Sequence, residues 1–242
     1  MLQGFVPFPP EFAARYREKG YWRDQSLAQE FHVVYQRFAD RTALIDGDRH
    51  FTYAELDRVT SNLALNLLEI GLKPLDRVVP TLPNLQEFVL LYFALQKIGA
   101  IPIAALVTHR YGEISQFVNL SGATACVYPE TSGDFSFSPI IERIAAENPA
   151  LKIRIVLGMP KPGEHSLRAL IDRPATLPAS RLADIKIDPA DPCIFQLSGG
   201  TTGIPKLIPR TNNDYAYNSK VAASVCEVDA ESVLLLVLPI AQ

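Results

Sequence analysis

The chain has 242 residues, 48% hydrophobic and 20% charged, which is an ordinary globular composition that allows one large domain or two small ones. Its 23 basic and 26 acidic residues give a formal net charge of -3, and no dense block of lysine and arginine suggests a nucleic-acid-binding surface. The three cysteines, Cys126, Cys193 and Cys226, are too scattered for a disulfide framework or a zinc site, and a reducing compartment suits them best.

The chain begins without the basic stretch and apolar run of a signal peptide. Its longest apolar stretches, 88–95 and 233–238, are too short to span a bilayer. We therefore expect a soluble cytoplasmic protein that uses neither a membrane nor nucleic acid as a partner.

Helical and strand-like segments alternate along the chain, which predicts an α/β architecture with parallel strands. Helices are predicted at 11–20, 26–39, 53–70, 85–98, 113–120, 140–148 and 213–225. Strands are predicted at 43–46, 50–52, 77–79, 101–103, 123–128, 153–157, 193–197, 207–209 and 233–238.

Two of these helices carry start signals. Thr52 and Glu55 have the spacing of a capping box, and Asn84 with Glu87 suggests a second helix cap of the same kind. Residues 158–191 are rich in Pro, Gly, Asp and Ser, which predicts an excursion over the surface. Residues 233–238 are continuously apolar, as in a strand that is buried on both faces.

The most informative stretch is Ser-Gly-Gly-Thr-Thr-Gly-Ile-Pro-Lys at 198–206, between two predicted strands. Glycines allow consecutive backbone N–H groups to turn toward one point and form an anion-binding nest. Ser198, Thr201 and Thr202 add hydroxyl donors, and Lys206 adds a positive charge. A polyphosphate is the ligand that suits this arrangement.

Two better-known phosphate loops do not fit. In a Walker A loop the glycine, lysine and hydroxyl residue are adjacent, but here Ile204 and Pro205 separate Gly203 from Lys206. The glycine spacing and the strand predicted to follow also exclude a dinucleotide-binding fingerprint. A Gly/Thr loop can also be a flexible connection that binds nothing, but the flanking strands and the lysine favour a binding role.

The motif at 198–206 resembles the phosphate loop of the adenylate-forming superfamily, which includes acyl-CoA synthetases, luciferases and nonribosomal peptide adenylation domains. With its doubled glycine and the tail Leu-Ile-Pro-Arg-Thr at 207–211, it is similar to the 2,3-dihydroxybenzoate-AMP and salicylate-AMP ligases of siderophore synthesis. Further family-like strings follow in family order at 11–22, 51–56, 94–102, 213–215 and 238–241.

This resemblance implies an ATP-dependent, Mg²⁺-dependent ligase that converts an aromatic carboxylic acid to aryl-AMP. The aryl group would then pass to a phosphopantetheine thiol on an aryl carrier protein. Ser198, Thr201, Thr202 and Lys206 would hold the β- and γ-phosphates, whereas Gly199, Gly200 and Gly203 would supply shape and backbone amides. The implied fold is the start of the large domain of these enzymes, with mostly parallel sheets flanked by helices.

Three positions depart from the family pattern. Asn212 and Gln242 stand where the family usually has histidines, and Pro80 stands where the family tends to continue a strand. Neutral drift is the simpler explanation for Asn212 and Pro80. Gln242 matters more, because that position approaches the nucleotide and acyl pockets in the family.

The resemblance also implies that the sequence holds an incomplete AMP-binding domain over 1–242. We expect a first sheet subdomain at about 40–190 and the phosphate loop with the start of a second at about 191–242. The family's aryl pocket, magnesium-binding acid, ribose-binding aspartate and catalytic lysine lie further along, so no catalytic residue and no metal ligand can be assigned here. We expect a fragment or truncated gene product that lacks full adenylation activity alone.

Two other hypotheses stay open. An aryl- or acyl-CoA ligase fragment would keep the enzyme class but change the acceptor, and the tail at 207–211 disfavours it. A non-catalytic remnant that binds nucleotide weakly or pairs with a partner chain is favoured by the two replaced histidines. The sequence does not distinguish salicylate from 2,3-dihydroxybenzoate.

Overall fold

A computed structural model describes residue 2, residues 4–198 and residues 205–241. The helices of these residues are α1 (Pro10–Glu18), α2 (Leu27–Arg37), α3 (Tyr53–Glu69), α4 (Gln86–Ile98), α5 (Tyr111–Ser121), α6 (Ser138–Glu147), α7 (Leu167–Asp172), α8 (Ser180–Ala183) and α9 (Asn212–Val225). The strands are β1 (Thr42–Asp46), β2 (Arg49–Thr52), β3 (Arg77–Pro80), β4 (Ile101–Pro102), β5 (Ala125–Pro129), β6 (Thr131–Ser132), β7 (Phe135–Ser136), β8 (Ile153–Leu157), β9 (His165–Ser166), β10 (Pro192–Leu197) and β11 (Leu207–Thr211).

The centre of the fold is a five-stranded parallel sheet in the order β4-β3-β5-β8-β9. Successive residues of a strand point to opposite faces. Accordingly, Val78 belongs to the core cluster that holds residues of α3, α4 and α7, whereas Val79 belongs to the cluster that holds residues of α5 and α6. Both valines are fully buried. The prediction of a parallel sheet flanked by helices is therefore confirmed.

The two predicted helix caps have different outcomes. The Thr52 hydroxyl accepts the Glu55 N–H at 3.1 Å and Glu55 Oε2 accepts the Thr52 N–H at 2.9 Å, so the capping box is confirmed. The Asn84 cap is wrong, because α4 starts at Gln86 without a side-chain cap from Leu85. Instead, Asp46 Oδ2 accepts the Gln86 N–H at 2.8 Å from the end of β1.

The segment 158–191 is more than a surface excursion, which corrects the prediction. It supplies β9, the edge strand of the main sheet, and α7. Leu167 and Leu170 on α7 are buried in the core. The many turn-forming residues between these short elements hid them from sequence reading, because two paired residues and six helical ones give little periodicity.

The apolar segment 233–238 is not a strand, so this prediction is also wrong. It pairs with none of the strands in the described part of the chain. Its six side chains are between 60% exposed at Leu236 and 87% exposed at Leu235. An apolar run fits a doubly buried strand only where other strands flank it, and none of the described strands flanks this one. A contiguous exposed apolar surface of this kind promotes association.

We expect that Leu235→Lys raises the protein concentration at which the chain begins to aggregate. The charged side chain breaks the apolar run without removing a buried contact, so the free energy of unfolding should change by less than about 0.5 kcal/mol. Light scattering against concentration measures the effect. Leu120→Lys is the matched control, because Leu120 is 61% exposed but stands outside the run. Equal onset for Leu235→Lys and wild type would contradict the assignment of segment 233–238 as the aggregating surface.

Candidate functional site

The glycine-rich loop is held by an antiparallel hairpin of β10 and β11. Leu197 pairs with Leu207, and Phe195 pairs with Pro209. Beyond the last pair, the Ser198 N–H donates to Lys206 O at 3.0 Å, and the Lys206 N–H donates to Ser198 Oγ at 2.8 Å. These two hydrogen bonds fix the distance between the ends of the loop.

The predicted phosphate-binding residues are only partly described. Ser198 is half-buried and Lys206 is exposed, and the hairpin brings the two together. The others, Gly199, Gly200, Thr201, Thr202 and Gly203, lie outside the described residues. Lys206 forms no ion pair within residues 2, 4–198 and 205–241, so its charge is available to an anion there.

An arginine stiffens the hairpin behind the loop. Arg210 on β11 pairs with Asp214 on α9 and donates from Nη1 to Gln196 Oε1 on β10 at 3.0 Å. The hydrogen bond to Asp214 raises the pKa of Arg210 above its ordinary value, so the guanidinium stays charged. One side chain thus joins both strands of the hairpin to the following helix.

The side chain of Asn212 is buried and links three segments of the chain by hydrogen bonds, a role that sequence reading missed. Its Oδ1 accepts the N–H of Leu27 at 2.9 Å, and its Nδ2 donates to Asp191 O at 3.1 Å. The neighbouring Asn213 similarly exchanges hydrogen bonds with Asp24, at 3.0 Å and 2.8 Å. The start of α9 is therefore tied to the segment that leads into α2. Only a buried location distinguishes these amides from surface asparagines, and the local sequence does not reveal burial.

The hairpin lies at the carboxyl edge of the main sheet. Ile103, directly after β4, forms a parallel bridge with Phe195 of β10, so β10 runs in the same direction as the five strands. Its carboxyl end, where Ser198 stands, therefore faces the same edge as the ends of β3 and β4. Ligands of open α/β sheets bind at this edge.

Other segments reach this edge as well. The turn after β4 carries His109, whose Nδ1 accepts the Leu106 N–H at 3.0 Å. After β3, Asn84 contacts the backbone of residues 238–240. Gln242, where the resemblance implies a histidine, lies outside the described residues.

The pH dependence of stability should reveal the burial of His109. Burial lowers the pKa of His109 below its ordinary value, so the folded chain takes up this proton less readily than the unfolded chain. The stability it contributes is present above about pH 6.5 and is lost as the pH falls. We expect His109→Gln to lose less stability than wild type between about pH 7 and pH 5.

Chemical denaturation across this pH range measures the effect. The control is His50→Gln, because His50 is exposed on β2 and loses little burial on unfolding. His165, whose pKa burial also lowers, is common to wild type and variants and cancels in the comparison. Parallel profiles for wild type and His109→Gln would rule out the assigned burial effect.

The buried cysteines are not poised for chemistry. Burial raises the pKa of the Cys126 thiol to about 12 and raises that of Cys193 as well, so both stay protonated. Cys193 and Cys226 both stand in apolar sequence runs, which predicts core positions. Cys193 is buried as predicted, but the prediction is wrong for Cys226, which is exposed at the carboxyl end of α9.

An apolar groove of about 580 Å³ lies beside the hairpin. Ile194 of β10, Tyr215 of α9, Pro80 of β3 and the tail residues Leu236 and Ile240 all contribute to its walls. Its mainly apolar lining does not suit a triphosphate.

Within the described ranges, no group of three or more His, Cys, Asp and Glu side chains could hold a metal ion. Likewise, none of the helices of the described residues is long and apolar enough to cross a membrane.

Comparison with known proteins places this geometry in context. Residues 31–242 match the family model described as AMP-binding enzyme. The chain is 38% identical to a salicyl-AMP ligase / salicyl-S-ArCP synthetase of Mycobacterium tuberculosis, covering 98% of the chain and 42% of the relative. It is 36% identical to a 2,3-dihydroxybenzoate-AMP ligase of Bacillus subtilis, covering 100% of the chain and 43% of the relative.

A solved structure supports the same relationship. The Mycobacterium smegmatis MbtA apo structure superposes with a TM-score of 0.89 at 38% identity, over 98% of this chain and 43% of that one. The chain thus spans less than half the length of these relatives. Over that span the resemblance in sequence extends to the fold.

Proposed function

The chain belongs to the AMP-binding enzyme family, and on that premise we propose that it provides the triphosphate-binding loop of an enzyme that adenylates an aromatic carboxylic acid. The observation that carries the proposal is the closed hairpin, which places the Ser198 hydroxyl and the Lys206 backbone within 2.8 Å at the carboxyl edge of the sheet.

The proposed site suits the charge of ATP. Ser198 Oγ accepts the Lys206 N–H, which leaves its hydroxyl hydrogen free to donate to a phosphate oxygen. The exposed ammonium of Lys206 supplies a charge-assisted contact. We assign Thr201 and Thr202 to the β- and γ-phosphates as well, and Gly199, Gly200 and Gly203 to the backbone nest, on the family motif alone.

In the proposed reaction, a carboxylate oxygen of the aromatic acid attacks the α-phosphorus of ATP. The bond from this phosphorus to the bridging oxygen breaks, and pyrophosphate leaves with the negative charge. Groups that hold the β- and γ-phosphates stabilise this charge as it develops. Mg²⁺ would neutralise further charge on the phosphate oxygens.

The finer assignments are proposals of the same kind. Salicylate and 2,3-dihydroxybenzoate are the acids named for the two relatives above, and we propose one of them as substrate. The acceptor would be the phosphopantetheine thiol of an aryl carrier protein, and the compartment the cytoplasm. We also propose the division into a first sheet subdomain at about 40–190 and a second beginning at about 191.

Titration of the chain with ATP and Mg²⁺ tests the proposal directly. Saturable binding that pyrophosphate competes away is the expected result, and absence of binding would overturn the proposal. Aryl-acid-dependent ATP–pyrophosphate exchange gives a second readout. Robust exchange would contradict only the expectation that these residues lack full activity alone.

A further inference from the structure

Asn84 fastens two parts of the chain that are far apart in sequence. Its Nδ2 donates to Leu238 O at 2.8 Å, and its Oδ1 accepts the Ile240 N–H at 2.9 Å. The amide therefore holds the backbone on both sides of Pro239. A planar amide that both donates and accepts in this way fixes the position and the orientation of the segment it binds.

The Asn84 side chain is not used to cap the neighbouring helix α4. Asn84 stands between the end of β3 and the start of α4, where a helix cap is expected, but Asp46 satisfies the Gln86 N–H instead. The tail needs an anchor, because residues 233–238 are exposed and unpaired within the described chain. Immediately beyond them, Ile240 and Ala241 become partly buried against the main core.

The anchored tail lies near the proposed site. Asn84 follows β3 at the carboxyl edge of the sheet, the edge at which Ser198 ends β10. Ile240 also lines the same groove as Ile194 of β10 and Tyr215 of α9. Asn84 and the end of β10 therefore both stand at the edge where open α/β sheets bind ligands, and Ile240 shares the adjoining apolar groove with the hairpin.

We propose that Asn84 is a positioning residue that holds residues 238–241 as a wall of the nucleotide site. This inference rests on the proposed function, because a wall of the site has meaning only if the hairpin binds a nucleotide. Asn84 itself acts only by holding the tail backbone and takes no part in the bonds that change in the reaction.

The test uses Asn84→Ala with two readouts on the 242-residue chain. Hydrogen exchange of the Ile240 amide, followed by NMR, should become about tenfold faster, because the acceptor of this N–H is lost. Affinity for ATP with Mg²⁺, measured by calorimetry, should fall about two- to tenfold. Asn84→Asp keeps an acceptor for Ile240 but cannot donate to Leu238, so exchange should stay slow while affinity falls.

Asn62→Ala is the matched control. Asn62 also bridges backbone groups, accepting the Ala175 N–H at 2.9 Å and donating to Ile171 O at 3.0 Å, but away from the tail. Asn62→Ala should speed hydrogen exchange of the Ala175 amide. It should leave the exchange of the Ile240 amide and the affinity for ATP unchanged.

The outcomes separate the two proposals. Unchanged Ile240 exchange in a folded Asn84→Ala chain would overturn the anchor. Faster exchange with wild-type affinity would overturn the positioning role while the proposed function stands. A wild-type chain that binds no ATP would overturn the proposed function and the wall together, whatever the exchange shows.

Discussion

Lys206→Ala is expected to weaken binding of ATP with Mg²⁺ by about ten- to hundredfold, the range of a lost hydrogen bond to a charged group. The lysine is exposed at the mouth of the hairpin and pairs with no acid in the described part of the chain, so its charge is not already neutralised there. Lys206→Arg keeps the charge but changes its geometry, and should recover part of the affinity.

The substitution should leave the fold intact. The hairpin clamp uses the backbone N–H and carbonyl of Lys206, which alanine retains. The free energy of unfolding should therefore change by less than about 0.5 kcal/mol.

Lys152→Ala supplies the matched control. Lys152 is also exposed, but it precedes β8 and therefore stands at the amino edge of the sheet, opposite the hairpin. Calorimetric titration of the three variants decides the matter. Equal affinity in wild type and Lys206→Ala would remove this lysine from the triphosphate site, and a comparable loss in Lys152→Ala would show that binding is non-specific.

The features that sequence reading predicted correctly are those fixed by near neighbours. The Thr52 capping box needs only the four residues of the first turn of α3, and both of its hydrogen bonds are present. Likewise, the strands predicted on either side of the loop are present as β10 and β11, although their antiparallel pairing was not predicted. The motif at 198–206 also indicated a family, to which the chain belongs.

The features that sequence reading missed depend on partners far along the chain. Asn84 has the residue type of a cap, but Asp46 takes its place and the amide binds a backbone more than 150 positions away. Similarly, the tail at 233–238 has the composition of a strand, but none of the strands formed by the described residues lies beside it. Local patterns report what a segment can form, and tertiary partners decide what it does form.

Asn212 shows the same limit at the candidate site, because nothing in the local sequence indicates that its side chain is 2% exposed and forms two hydrogen bonds. Asn212→Ala is expected to lower the free energy of unfolding by about 2–3 kcal/mol. Alanine offers no acceptor to the Leu27 N–H, which would remain buried without a partner. The Asp191 carbonyl would suffer less, because it also accepts the backbone N–H of residue 212 at 3.2 Å.

Asn212→His distinguishes a lost hydrogen bond from lost packing. A neutral imidazole accepts with one nitrogen and donates with the other, so it can serve both Leu27 and Asp191. Urea denaturation should therefore show the highest stability for wild type, a lower one for Asn212→His and the lowest for Asn212→Ala.

Asn119→Ala, at an exposed asparagine of α5, is the control and should lower the free energy of unfolding by less than about 0.5 kcal/mol. If Asn212→Ala unfolds at the same urea concentration as wild type, the buried amide does not hold α9 to the start of α2. If Asn212→His lowers the free energy of unfolding more than Asn212→Ala does, the space around residue 212 rather than its hydrogen bonds limits which side chain fits there.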